Sequence, residues 1–113
     1  MVVVNPFLFK ILPNPPMAMA LFPLVLIDSE KNRHNQILLN HEKIHLRQQK
    51  ELLILPFYVL YLLNYFVNLL IYRNHRKAYF NICFEREAYR HEADMGFLKA
   101  RSFCNFLKFL RKD

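Results

Sequence analysis

At 113 residues the chain has room for one domain and one core. A single glycine, with 11 phenylalanines and 6 tyrosines, argues against a turn-rich β-sandwich or barrel and for long helices. The 54% hydrophobic content exceeds the usual soluble range of about 45–50%, so the protein buries a rich core or meets a membrane. The net charge of +7 is uneven: residues 1–30 carry −1, residues 31–51 carry +3 and residues 73–113 carry +5.

Taken in chain order, residues 1–30 form a proline-rich extended segment. Five of the six prolines fall within it, which forbids a continuous helix and leaves short strands, with Pro23 confining "LFPLVLI" to a sheet edge. Ala18-Met19-Ala20 mimics a signal-peptidase site, but Asn5-Pro6 breaks the apolar stretch and no basic segment leads it, so no secretory signal is expected. "DSEKNRHN" is a polar loop in which Asn32 or Asn35 can cap a helix. A helix over 36–54 follows from apolar spacing at steps of three and four. Residues 57–73 form a hydrophobic helix, 78–94 a charged one, and 97–112 a basic amphipathic one, with Gly96 as the stop between the last two. The fold class is therefore mainly α, about four helices, with short N-terminal β segments. Cys83 and Cys104 lack metal-type spacing and read as reduced, buried thiols. His34 and His75 read as solvated loop histidines. The basic tail "FLKARSFCNFLKFLRK" has the composition to touch anionic lipid or nucleic acid, but it reads more simply as a helix with its Phe and Leu turned inward; no specific nucleic acid is expected.

The chemistry lies in His41-Glu42-Lys43-Ile44-His45. Residues four apart stand one above the other on a helix, so His41 and His45 can ligate one metal ion. Zinc suits such a pair, because its catalytic sites combine nitrogen and oxygen ligands and keep one position open. Glu42, on the adjoining turn, is placed to take a proton from a zinc-activated water and pass it to the leaving amine. Tyr79, Tyr89 and His91 are candidates to stabilise the oxyanion or support the ligands. Gln48 and Gln49 either hydrogen-bond within the site or belong to a polar helix face.

Forty residues on, Glu85-Arg86-Glu87-Ala88-Tyr89 resembles the Glu-x-x-Ala-Asp signature of gluzincin peptidases. With the His-Glu-x-x-His word and the hydrophobic helix between them, the chain looks like a minimal gluzincin. It is similar to the CAAX-prenyl-protease-like and penicillin-sensor-transducer membrane peptidases. The resemblance implies a helical zincin-like core, zinc as cofactor, a peptide or protein substrate, His41 and His45 as ligands, Glu42 as base and Glu85 as third ligand. Glu87, also followed by alanine in sequence, is the alternative third ligand. The chain departs from the signature at Tyr89, where the family carries the aspartate that orients a ligating histidine.

Residues 52–72 contain no charge and meet the length criterion for a membrane span. A single crossing would separate His45 from Glu85, and 21 residues cannot cross twice. The metal reading therefore predicts a bend at Leu55-Pro56 and a second helix returning toward the site. Tyr58, Tyr61, Tyr65, Asn68 and Tyr72 would make a seam against protein, with Arg73, Arg76 and Lys77 suited to anionic headgroups. The expectation is a zinc metallopeptidase associated with the cytoplasmic side of a membrane. The alternatives are an integral membrane protein with one span at 52–72, and a degenerate peptidase that binds metal without turnover.

Overall fold

A computed structural model describes residues 2–6 and 17–110. The protein is mainly helical, with a small sheet near its N-terminus. Three strands, β1 (Val2–Val4), β2 (Ala18–Leu21) and β3 (Leu24–Ile27), are ordered β1-β3-β2, with β3 parallel to β1 and antiparallel to β2. "LFPLVLI" is thus not one edge strand. It breaks at Phe22-Pro23, a cis peptide in the two-residue turn between Leu21 and Leu24, and Leu24–Ile27 takes the central position. Pro23 escapes the sheet by lying in the turn, where no ladder donor is needed. Among the described residues β1 and β2 form the two edges of the sheet. Much of the proline-rich segment, residues 7–16, lies outside the described residues.

A 3-10 turn, Glu30–His34, leads into α1 (Gln36–Glu51). Asn35 caps α1 by accepting from the Leu38 amide at 3.1 Å. The sheet packs on α1 through Ala18, Val25 and Ile27 against Leu38, Leu39 and Leu46. The bend comes earlier than Leu55-Pro56. Helix α1 ends at Glu51, and Leu53 and Ile54 turn the chain with φ of 61° and 67°. Pro56 then sits in the first turn of α2 (Leu55–Tyr72), where its missing N–H costs nothing.

The helix expected over 78–94 is two helices, α3 (His75–Phe80) and α4 (Cys83–His91). Asn81 donates its side-chain amide to the Lys77 carbonyl and closes α3, while Asn64 of α2 accepts from the Cys83 amide at 2.9 Å. Bonds to side chains replace the intrahelical bonds that would have joined the two. The final amphipathic helix is also replaced. Helix α5 (Phe97–Ala100) is one turn long, the chain is extended at Arg101, and a 3-10 turn covers Asn105–Phe109. Gly96 precedes α5 rather than ending α4. Phe106 is buried with Phe57, Ile82, Cys83 and Phe84, whereas Phe103, Leu107 and Leu110 are exposed. Cys83 is a buried free thiol, pushed up to about 11 by burial; Cys104 is free but only half-buried.

Candidate metal centre

His41 and His45 lie on the inner face of α1, one turn apart, both buried. Their rings meet edge to face at 4.8 Å, and their Nε2 atoms stand 3.2 Å apart. Glu85, in the first turn of α4, brings Oε1 to 3.2 Å from Nε2 of His41 and 3.0 Å from Nε2 of His45. Helix α4 can come so near because Ala88 presents only a methyl group to Ile44 of α1, and both are fully buried. Asn40 holds the far end of α4 by donating to the carbonyls of His91, Glu92 and Asp94.

The outer nitrogens decide the tautomers. Gln48 spends its amide nitrogen on the Phe84 carbonyl and the Glu87 carboxylate, so only its oxygen is left for His45 Nδ1, at 2.8 Å. His41 Nδ1 meets Glu92 Oε1 at 2.9 Å. Both partners are acceptors, so both Nδ1 atoms carry the proton. In the neutral imidazoles the Nε2 lone pairs then face each other and a carboxylate oxygen, three electron-rich atoms around one point. Such a group needs a cation. Burial disfavours a charged His45, yet Glu85 outweighs it and raises its pKa to about 9. Burial would likewise raise Glu85, but His45 and His41 overcome it and hold the carboxyl below the usual range.

The donor set fits a metal. The three ligand atoms lie within 4.8 Å of one another. Tetrahedral ligands on bonds of ~2.0–2.1 Å stand about 3.3 Å apart, close to the separations found. Tyr61 on α2 donates to Glu85 Oε2 at 2.6 Å, which fixes the carboxylate and leaves Oε1 for the centre.

Glu42 lies beside the ligands, its Oε2 4.0 Å from His41 Nε2, and burial raises its pKa above the ordinary value. It borders two cavities, of ≈ 850 and ≈ 460 Å³, both of which also touch Ala18 and Tyr79. The larger cavity lies on the His45 and Glu85 side of Glu42 and the smaller on the His41 side. Tyr79 hydrogen-bonds Tyr89 through their hydroxyls at 3.3 Å, and burial with Glu85 keeps the Tyr79 hydroxyl protonated. The Tyr89 ring packs on His41 at 4.5 Å.

Two candidates fall elsewhere. Glu87 turns away from the histidines to bond Arg101, Gln48 and Asn105, so Glu85 alone reaches the centre. His91 stacks on Phe97 at 3.9 Å, away from the ligands. His34 and His75 are exposed as expected but do not lie in loops: His34 ends the 3-10 turn and His75 opens α3, where it bonds the Tyr65 hydroxyl at 2.7 Å. Gln48 and Gln49 are buried, which overturns the polar-face reading. Neither sequence motif marks Glu92 or Tyr61 as a site residue. Glu92 takes up on His41 the orienting position that the resemblance left vacant at Tyr89; its spacing of seven from Glu85, the same helix face, was the available signal. Comparison with protein-family models, curated proteins and solved structures finds no match to this chain, so the functional reading rests on the site's own chemistry.

Proposed function

We propose that the chain is a metal-dependent hydrolase and, more particularly, a zinc peptidase acting on extended polypeptide. The observation that carries this reading is the convergence of two imidazoles, each with its Nδ1 on an acceptor, and one carboxylate oxygen on a single point, with Glu42 beside it and a cavity on each side. His41, His45 and Glu85 would hold the zinc. The bound metal supplies a Lewis acid that acidifies a water and polarises a carbonyl.

The remaining steps belong to the chain's own groups. Burial makes Glu42 a stronger base than an exposed carboxylate, suited to accept the water's proton and return it to the leaving amine. The protonated Tyr79 hydroxyl, which borders both cavities, is the donor best placed for the developing oxyanion. Substrate would run along β2. Residues 17, 19 and 21 bond inward to β3, so Ala18, Ala20 and Phe22 present their backbone outward. Gln49 already takes the Ala20 carbonyl and the Phe22 amide, which leaves Ala18 as the point for β-augmentation.

Protein purified without chelator should carry near-stoichiometric zinc. His41→Ala or His45→Ala should lose it, and unchanged zinc in both variants would end the proposal. Glu42→Gln should keep the metal and lose at least about 100-fold of any hydrolysis of a peptide library; full activity would show that Glu42 is not the base.

A further inference from the structure

Helix α2 is divided lengthwise. Its polar groups face the protein: Tyr58 bonds the Ala20 carbonyl, Tyr61 bonds Glu85, Asn64 the Cys83 amide, Tyr65 His75, and Asn68 the Ala78 carbonyl. The opposite half of its circumference is apolar from end to end, with Leu63 56% and Leu70 80% exposed on its midline. Nine large apolar side chains of this helix stand in solvent among the described residues, more than the scattered exposure usual on a soluble monomer. Exposed Arg73, Arg76 and Lys77 follow at the C-terminal end of α2.

We propose that this face is a membrane-docking surface, on which α2 lies in the plane of an anionic bilayer without crossing it. Length and hydropathy alone would allow α2 to span. The return chain forbids it. Contacts 65–75, 68–78, 64–83 and 61–85 show residues 75–85 running back along α2 toward its start. A span would carry exposed Arg76 and Lys77 into hydrocarbon alongside it. In the plane, the apolar half sinks below the headgroups while the bonded half stays with the protein. The occupant is lipid rather than a second copy because of charge. Another copy brings a further +7 against the same basic cluster, whereas anionic headgroups complement it.

Vesicle co-sedimentation tests this with intact protein. Wild type should pellet with phosphatidylcholine vesicles containing about one-third phosphatidylglycerol, and alkaline carbonate should release it. Leu63→Glu/Leu70→Glu, both at solvent-exposed positions, should lower the bound fraction at least tenfold. Circular dichroism and zinc content equal to wild type would show that this variant is folded and that the metal site is unaffected. Arg73→Gln/Arg76→Gln/Lys77→Gln should weaken binding to the anionic vesicles selectively. Three results would each overturn the proposal: no wild-type binding, resistance to carbonate (a true span), or a wild-type dimer that the Leu63→Glu/Leu70→Glu change converts to monomer without any affinity for vesicles.

Discussion

An imidazole offers a metal whichever nitrogen its surroundings leave unprotonated, and in His41 and His45 the surroundings are Glu92 and Gln48. Glu92→Ala frees the His41 ring to rotate and change tautomer, so zinc affinity should fall about 10–100-fold. Glu92→Gln, which keeps an acceptor oxygen, should fall less; a chromophoric chelator competition measures both. The same centre predicts a pH dependence. His45 holds a proton below about 9 in the metal-free protein, and zinc must displace it. Apparent affinity should therefore rise by on the order of tenfold per pH unit as pH climbs toward 9. A flat profile between pH 6.5 and 8.5 would show that His45 is not the protonated ligand.

At the scale of elements, the candidate metal centre is braced by an ion cluster that never touches it. Arg101 follows α5, its side chain fully buried between Glu87 of α4 and Glu51 at the end of α1, with bonds of 2.6–3.0 Å. Glu87 in turn accepts from Gln48, and Gln48 orients His45. Arg101 thus binds α1, α4 and the C-terminal turn to one another, which is why the basic tail does not form its expected helix. Arg101→Met leaves Glu87 buried and uncompensated and should cost ~3–5 kcal/mol in urea unfolding. Lys99→Met, two residues away and exposed, should cost under about 0.5 kcal/mol. Equal losses in the two variants would mean that the cluster is not holding the helices together.

For the whole molecule, the proposed metal site predicts that fold stability and metal occupancy are linked. The His45 pKa is raised on folding, so its contribution is complete below about 6.5, the unfolded value, and is lost as pH rises through about 9. Metal-free protein should lose up to roughly 3 kcal/mol across that window. Zinc-loaded protein should not, since the metal then balances Glu85 in place of the proton. Thermal melts with and without chelator from pH 6 to 9 measure the difference. Parallel curves would contradict the coupling.

The sequence by itself determined what is periodic and local. His41 and His45 are one turn apart because their spacing is four, α1 is capped by one of two asparagines, Asn32 or Asn35, because short polar side chains precede the helix, and α2 presents two unlike faces because its tyrosines and asparagines recur at helical steps. Predominance of helix followed from one glycine and long apolar periodicities. Tertiary structure decided the rest. The sequence favours Glu85 as third ligand but leaves Glu87 open, and the two are separated by Arg101, which lies 14 residues beyond Glu87 and holds it on the other side of α4. Glu92 joined the site only when Asn40 tied the end of α4 to α1. The breaks at Asn81–Ile82 and Arg101 were invisible because the groups that replace the helical bonds, Asn64 and the two carboxylates, come from distant segments. Periodicity reports which face of a helix is turned inward. Which partner waits there depends on long-range packing, and residue spacing does not encode it.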